Sequence, residues 1–242
     1  MVKPIIAFDD VWKVYQMGEV EVPALQGINL VVNRGEFIVI AGSSGSGKST
    51  MMNLIGCLDI PTRGKIMLDN ENIASMTESK LAITRGQNIG FIFQQFNLIP
   101  TLNALDNVML PLAFQDVDDS IARKRAMELL DIIGLKDRIT HLPSQLSGGQ
   151  MQRVAIARSL AVNPGIILAD EPTGNLDSKV GKFIMDFLSK MHSEENKTVI
   201  VVTHDLGMIR YADRVIYLKD GKIEKTTANK KHDISKNRRD EK

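Results

Sequence analysis

Apolar and polar positions divide the chain into a strand-rich part, a helical part, and a final part in which buried strands recur. Residues 5–32 are rich in β-branched and aromatic residues, with breaks at Met17–Gly18 and Pro23, and they predict β strands. Residues 37–41 form an unbroken apolar run, which is typical of a strand buried on both faces in a parallel sheet. Further strands are predicted at residues 65–68, 89–93, 165–169, 199–202 and 214–218.

Helical signals replace strand signals between residues 96 and 163, so we expect a helical subdomain inserted into an α/β core. Its clearest helix is predicted from Asp119 to Ile133, with N-terminal signals at 118–120 and Gly134 at the C′ position. The residues predicted to form the buried face of this helix recur at roughly helical spacing: Ile121, Met127, Leu130 and Ile133.

A glycine-rich turn follows the strand at residues 37–41 and leads into a helix predicted from Ser49 to about Leu58. The turn fits G-x-x-x-x-G-K-[ST], in which glycines let backbone amides approach phosphates and the helix N-terminus adds further donors. Lys48 would neutralise the β- and γ-phosphates, and Ser49 would offer a hydroxyl to Mg²⁺. The residues predicted to contact a nucleotide here are Gly42, Ser43, Ser44, Gly45, Ser46, Gly47, Lys48, Ser49 and Thr50.

A second helix start also carries glycines, at residues 147–150. Ser147 and Gln150 have the spacing of a capping box, which by itself accounts for a well-capped helix. Gly148 and Gly149, however, are poor helix formers placed in the first turn, and bare backbone at a helix N-terminus suits a phosphate. We therefore predict a second phosphate-binding site formed by Ser147, Gly148, Gly149 and Gln150.

Polar residues follow several predicted strands and should meet at the carboxyl edge of one sheet, where open α/β sheets bind ligands. Asp170 fits the carboxylate that helps to hold Mg²⁺ in P-loop nucleotidases. Strand alternation turns Glu171 away from Asp170, so Glu171 is a candidate general base for a water. Gln94 and His204 follow their own strands in the same way. An isolated acid pair or histidine is usually structural, but their combination with a phosphate loop predicts an ATPase centre.

Together these motifs resemble those of the nucleotide-binding subunit of ABC transporters. LSGGQ is the discriminating motif, because phosphate loops occur in many unrelated nucleotidases. The resemblance covers residues 5 to about 225 and rests on GSSGSGKST at 42–50, Gln94, LSGGQ at 146–150, ILADEP at 167–172, residues 175–177 and His204, all in family order.

The resemblance implies a P-loop NTPase with a RecA-like α/β core, an antiparallel β subdomain and an inserted α-helical subdomain. It also implies a head-to-tail homodimer that binds ATP and Mg²⁺ between the phosphate loop of one subunit and the LSGGQ of the other. Tyr15 would stack on adenine, Gln94 would sense Mg²⁺ or water, and Asp177 would cross the dimer interface. Glu171 would be the catalytic carboxylate, and His204 would contact the γ-phosphate.

Longer segments at residues 53–59, 88–112 and 152–164 resemble the lipoprotein-release and macrolide-export branch, which also includes cell-division proteins. That branch implies transport or force transmission by an integral membrane permease, here a separate chain. The alternative is a soluble ABC-type ATPase acting on nucleic acid or ribosomes, but such proteins typically carry coiled-coil insertions or tandem cassettes. A regulator without turnover fits poorly with the presence of Lys48 and Glu171.

Composition limits the classes of partner and the cellular location that fit this chain. The chain is 43% hydrophobic and 24% charged, as in ordinary soluble globular proteins, and its net charge of +1 argues against direct nucleic-acid binding. One cysteine, Cys57, suits a reducing compartment, and no apolar run is long enough to span a bilayer. We expect an ATPase domain over residues 1–225 and a flexible basic tail over 226–242. The protein should be cytoplasmic, peripheral on the cytoplasmic face of the cell membrane through its permease.

Overall fold

A computed structural model describes residues 4–174 and 176–229. Its strands are β1 (Pro4–Met17), β2 (Val20–Asn33), β3 (Phe37–Ala41), β4 (Arg63–Leu68), β5 (Glu71–Asn72), β6 (Ile89–Ile92), β7 (Ile166–Asp170), β8 (Thr198–Thr203), β9 (Arg214–Lys219) and β10 (Lys222–Ala228). Its α-helices are α1 (Lys48–Ile55), α2 (Glu78–Asn88), α3 (Ala104–Ala113), α4 (Asp119–Ile132), α5 (Gly148–Leu160) and α6 (Ser178–Glu195). Short 3₁₀ helices span Ile73–Ser75, Lys136–Arg138, Pro143–Gln145 and Leu206–Tyr211.

The strands form two sheets. A six-stranded sheet has the order β10-β9-β3-β8-β7-β6, and all its pairs are parallel except that of β10 with β9. A four-stranded antiparallel sheet has the order β2-β1-β4-β5. Pro23 lies inside β2 rather than breaking it, because β2 is an edge strand, where a proline is tolerated.

Apolar side chains fill both faces of the six-stranded sheet, as the unbroken apolar strands predict. Alternate residues of β3 divide between two cores, with Ile38 and Ile40 in one and Phe37 and Val39 in the other. The first core also contains α1 and the antiparallel sheet, and the second contains α3, α4, α5 and α6. Because α1 lies within a core, the loop that precedes it is held firmly at the edge of the sheet.

The predicted fold class is confirmed: an α/β core carries an antiparallel β subdomain and a helical subdomain. Residues 96–163 contain α3, α4 and α5 and no strand. Among the helices of residues 4–174 and 176–229, none combines the length and the apolar character that crossing a bilayer requires.

The predicted buried face of α4 is wrong at two of its four positions. Ile121 is 61% exposed and Met127 is 45% exposed, whereas Ala122 and Ala126 are buried. Small residues face the neighbouring helices at these two positions of α4, where they let the helix backbones approach closely, while Leu130 and Ile133 are buried as predicted.

Two boundaries also differ from the prediction. The helix after the phosphate loop ends at Ile55, where Gly56 takes the C-cap position, and does not reach Leu58. Residues 226–228, which were expected in a flexible tail, belong to β10 and pair with residues 214–216 of β9. The rest of that predicted tail, from residue 230 onward, lies outside the described residues.

Candidate active site

The phosphate loop joins β3 to α1 and is tightly packed against its neighbours. A Cβ at Gly42 would lie 2.3 Å from the carbonyl oxygen of Leu218, so only glycine fits there. Gly47 has φ +100°, a left-handed conformation, and a Cβ there would lie 2.6 Å from the carbonyl oxygen of Ala24. The loop therefore needs glycine at both ends of its turn for reasons of space and backbone conformation.

The loop leaves hydrogen-bond donors at the start of α1. Gly47 is the N-cap of α1 and provides no side-chain cap, so the first amides of the helix have no such partner. The Lys48 ammonium folds back and donates to the carbonyl oxygen of Ser43 at 2.8 Å. Behind the loop, the backbone N–H of Gly221 donates to the carbonyl oxygen of Ser46 at 3.0 Å. Uncapped amides and a nearby ammonium make this loop suitable for a polyphosphate.

Asp170 is the last residue of β7 and is half-buried at the carboxyl edge of the sheet. Burial raises the pKa of its carboxyl, the charge of Glu171 raises it further, and Lys48 lowers it. The two carboxylates and the phosphate-loop lysine therefore form one electrostatic cluster. A second cation placed here would relieve the repulsion between the carboxylates.

Glu171 is held against the end of β8. Its Oε2 accepts a hydrogen bond from Thr203 Oγ1 at 2.9 Å, and its Oε1 accepts the backbone N–H of His204 at 2.9 Å. The same Oε1 lies 2.7 Å from His204 Nδ1. The backbone of Glu171 has φ +43°, which is disfavoured for a residue with a Cβ and costs on the order of 1–3 kcal/mol. Such strain is concentrated at functional sites.

Gln94 and Tyr15 approach this edge from other elements. A Cβ at Gly174 would lie 3.1 Å from Gln94 Nε2, which places the Gln94 amide beside the turn that follows Glu171. Tyr15 donates from its hydroxyl to Asp59 Oδ2 at 3.0 Å. Burial raises the pKa of Tyr15, while a hydrogen bond with the Thr50 side chain lowers it, so this tyrosine lies beside α1.

The second predicted phosphate site lies at the start of α5. Ser147 and Gln150 form the predicted capping box: Gln150 N–H donates to Ser147 Oγ at 3.3 Å, and Ser147 N–H donates to Gln150 Oε1 at 2.9 Å. Gly148 has room for a side chain, because its nearest neighbours would lie 3.8 Å from a Cβ. Gly149 does not, because its Cβ would lie 3.0 Å from two methyl carbons of Val180. Packing within the chain thus explains why residue 149 is glycine. At residue 148, packing within the chain gives no reason for glycine.

Asp177 has a structural task that the sequence analysis did not identify. It is the N-cap of α6, and its Oδ1 accepts the backbone N–H groups of Lys179 and Val180 at 3.0 Å each. An aspartate just before a helix is an N-terminal signal, so this role was available from the sequence. Its predicted position at a dimer interface stays a prediction.

The structure brings most of the predicted site residues to one edge of the six-stranded sheet. The phosphate loop, Asp170, Glu171 and His204 follow the adjacent strands β3, β7 and β8, while Gln94 and Tyr15 approach them from the side. The start of α5 instead packs on Val180 of α6. Residues 4–174 and 176–229 contain no group of three His, Cys, Asp or Glu side chains placed to hold a metal alone.

Two contributors were missed by the sequence analysis. Thr203 donates to Glu171 and is the last residue of β8, whereas the sequence analysis selected only His204, because His204 follows that strand. Asp59 holds the Tyr15 hydroxyl and also lies 2.5 Å from the Lys13 ammonium, which sits 5.0 Å from the Tyr15 ring centre. No local pattern reveals that contact, because 44 residues separate Tyr15 from Asp59.

Comparisons with known proteins agree with this geometry. The family model described as ABC transporter matches residues 25–174. An uncharacterised ABC transporter ATP-binding protein of Methanocaldococcus jannaschii, MJ0796, is 53% identical over 225 residues, which cover 91% of this chain and 96% of that protein. The macrolide export ATP-binding/permease protein MacB of Brucella melitensis is 48% identical over 91% of this chain, which corresponds to 34% of MacB.

A solved structure has the same fold. It is a dimer of the ATP-binding cassette MJ0796 in a post-hydrolysis state, bound to ADP and Pi. It superimposes on this chain with a TM-score of 0.87 and 51% identity, and the match covers 92% of this chain and 98% of the other.

Proposed function

This chain belongs to the ABC transporter family, and we propose that it powers a separate membrane permease of the lipoprotein-release or macrolide-export type. Its activity is ATP hydrolysis, carried out by an ATP-binding cassette that dimerises. The observation that carries the proposal of a permease is an apolar groove next to the hydrolytic edge.

The groove has a volume of about 900 Å³ and lies between α2, β6, α3 and α5. Its apolar lining is unusually exposed: Phe114 is 82% exposed, Ile83 54% and Leu58 46%. Phe91 and Phe93 stack in the same groove, with their ring centres 5.4 Å apart. Exposed apolar patches of this kind mark protein interaction sites.

The groove is connected to the site through the chain itself. Phe93 lines the groove, and the next residue is Gln94, whose amide lies beside Gly174 in the turn after Glu171. A helix of the permease seated in the groove would therefore press on the segment that carries Gln94. This arrangement supports a permease as the occupant of the groove, which would respond to ATP bound at the adjacent site. The chain would then lie on the cytoplasmic face of the membrane.

In the proposed site, the amides of the phosphate loop and the Lys48 ammonium bind the β- and γ-phosphates. Tyr15 stacks on the adenine. Glu171 accepts a proton from the attacking water, and His204 contacts the γ-phosphate. Proton transfer to a placed carboxylate accelerates such reactions by about 10² to 10⁴-fold.

The residues present fit Mg²⁺. The Ser49 hydroxyl, the Asp170 carboxylate and the Gln94 amide are oxygen donors of the kind that Mg²⁺ prefers, and it normally takes its other ligands from phosphates and water. Burial raises the pKa of Asp170 and the charge of Glu171 raises it further, and a cation bound here would relieve the repulsion between the two carboxylates. When bound, Mg²⁺ would neutralise charge on the phosphates during transfer.

The proposed dimer is head-to-tail. Each ATP lies between the phosphate loop of one subunit and residues 147–150 of the other, with Asp177 at the interface. The start of α1 has no side-chain cap, and the start of α5 has open space at Gly148, which supports closure of α5 of one subunit on the phosphates held by the other.

The alternative is an ABC-type ATPase that acts on nucleic acid or ribosomes. A groove for such a partner should be basic, because phosphate contacts dominate that binding. The exposed surface of the groove is instead mainly aromatic and aliphatic. Its two arginines, Arg85 and Arg158, donate to backbone carbonyl oxygens of this chain, and the net charge of the chain is only +1.

Glu171→Gln tests the hydrolytic assignment. We expect ATP binding to persist, turnover to fall by about 10² to 10⁴-fold, and gel filtration with ATP and Mg²⁺ to show a stable dimer. A protein that stays monomeric under these conditions would contradict the sandwich arrangement.

Phe114→Glu tests the permease assignment. A photo-crosslinker at position 114 of the otherwise unaltered chain, expressed in its own host, should capture a polytopic membrane protein, and Phe114→Glu should abolish its co-purification while sparing ATP turnover. Ile121→Glu is the matched control, since Ile121 is 61% exposed but lies outside the groove. Capture of ribosomal protein or nucleic acid would favour the alternative.

A further inference from the structure

Gln152 is a buried polar residue in α5, two residues beyond the LSGGQ segment, and its side chain is 1% exposed in relative terms. Its Nε2 donates to the carbonyl oxygen of Pro172 at 2.9 Å. Because a carbonyl can only accept, this contact fixes which end of the amide faces Pro172. The side chain thus joins α5 to the residue directly after Glu171.

The contact lies where three segments meet. At the start of α5, Gly149 packs on Val180 of α6, and the side chains of Leu176 and Phe96 would both lie 3.8 Å from a Cβ at Gly148. One turn further on, Gln152 holds Pro172. Pro172 and Leu176, which lie between β7 and α6, are therefore both close to the first turns of α5. A shift of α5 along its axis would pull on the turn that carries Glu171.

The amide is only half satisfied. Within the described part of the chain, Gln152 Oε1 is buried and has no hydrogen-bond partner. A contact that served packing alone would be better made by an apolar side chain, because an unpaired buried acceptor is destabilising. The hydrogen bond from Gln152 to Pro172 lies next to a residue with a strained backbone. Glu171 has φ +43°, and its N–H donates to the carbonyl oxygen of Val202.

We propose that Gln152 is a positioning residue that sets the Glu171 carboxylate according to the position of α5. The inference rests on the proposed function, in which residues 147–150 close on the partner's ATP and Glu171 acts on the subunit's own ATP. Closure at one ATP then reaches the hydrolytic carboxylate of the other through α5, Gln152 and Pro172. The two sites of the dimer are coupled through this side chain.

The test compares Gln152→Met, which keeps the length and removes both polar atoms, with the unaltered chain. Initial rates over a range of ATP concentrations should show kcat reduced on the order of tenfold or more, because small displacements of a reacting group are costly. KM should change little, since ground-state binding of ATP is not altered. The Hill coefficient should fall towards one, which a purely structural role would not produce.

Thr198→Val is the matched control. Thr198 also makes a buried hydrogen bond from its side chain to the backbone, accepting Gly35 N–H at 3.0 Å, but at the opposite edge of the sheet. It should lower the melting temperature as much as Gln152→Met and leave kcat and the Hill coefficient unchanged. If Gln152→Met does not fold, Gln152→Glu replaces it, because it keeps the shape and turns the donor into an acceptor.

Unchanged kcat and cooperativity in the folded variant, or losses equal to those of Thr198→Val, would overturn the role of Gln152. Glu171→Gln is measured in parallel. If Glu171→Gln retains turnover, the assignment of Glu171 is at fault, and coupling through Gln152 to that carboxylate fails with it. If Glu171→Gln is inactive and Gln152→Met is normal, only the inference about Gln152 fails.

Discussion

Nδ1 of His204 lies 2.7 Å from Oε1 of Glu171, although the His204 side chain is 70% exposed and that of Glu171 only 14%. A carboxylate can only accept, so the proton of this bond belongs to Nδ1, and Nε2 is left for another partner. With Thr203 Oγ1 and the His204 backbone N–H also bound, three of the roughly four acceptor positions of Glu171 are occupied. The carboxylate therefore has one defined direction in which to receive a water proton.

His204→Ala removes the Nδ1 contact and leaves the two other bonds of Glu171 in place. We expect kcat to fall by about 10–100-fold, since the carboxylate loses part of its orientation, and the affinity for ATP to fall as well, since the γ-phosphate loses its proposed contact with Nε2. Steady-state rates and nucleotide titration measure the two effects. His141→Ala, in the helical subdomain, is the control, and a His204→Ala enzyme as active as that control would contradict this role.

Lys48→Ala should weaken nucleotide binding itself. A charge-assisted hydrogen bond to a phosphate contributes about 1.5–3 kcal/mol, so the dissociation constant should rise by roughly tenfold or more. Isothermal titration with a non-hydrolysable ATP analogue measures it. Lys65→Ala, which removes an exposed lysine of β4, should have no effect. Equal affinities for Lys48→Ala and Lys65→Ala would refute the phosphate contact.

Gly148→Leu should block dimer formation and spare the monomer. The nearest atoms to a Cβ at Gly148 lie 3.8 Å away, so the chain accommodates the start of a side chain, which would then occupy the surface that we propose faces the partner's ATP. Gly149 is a poorer choice, because its Cβ would press on Val180. Monomer binding of ATP should persist, and gel filtration in the Glu171→Gln background should lose the dimer.

Gly165→Leu serves as the control for that experiment, because nothing lies within 4 Å of a Cβ at Gly165. It should dimerise normally. A monomer that loses ATP binding in Gly148→Leu would mean that residues 147–150 act within one chain.

Cys57 should resist alkylation in the native protein. Burial raises the pKa of its thiol to about 11, so the reactive thiolate is scarce near pH 8 and becomes abundant only as the pH rises through that value. Mass spectrometry after iodoacetamide treatment should find the native chain unmodified and the urea-unfolded chain modified. Rapid modification of the native chain would show that the site opens.

Short sequence patterns predict turns, helix caps and loops whose conformation depends only on a few neighbouring residues. The dipeptide Asp220–Gly221 favours a hairpin turn with positive φ at both residues, and the structure has φ of +48° and +73° there. The capping box of α5 depends on Ser147 and Gln150 alone and formed as predicted. The phosphate loop is also predictable from local sequence, because the spacing of its glycines indicates where the backbone needs a conformation or a close approach that only glycine allows.

Other elements depend on contacts that the sequence does not display. The helix α2 was not predicted, since it is largely polar and buries only Leu81 and Thr84. The helix α3 contains Pro111, which obscured its helical pattern. The contacts of Gln152 with Pro172 and of Tyr15 with Asp59 join residues far apart in sequence, so only the folded chain reveals them.

The hydrogen bond from Gly221 to Ser46 has a consequence for how the protein is made. The phosphate loop is backed by the turn between β9 and β10, and β3 itself lies between β8 and β9. During synthesis, residues 42–47 leave the ribosome long before any of these supports exist. A nascent chain therefore has no formed site for ATP until its late strands have emerged, which delays nucleotide capture until the core around the loop is ready to close.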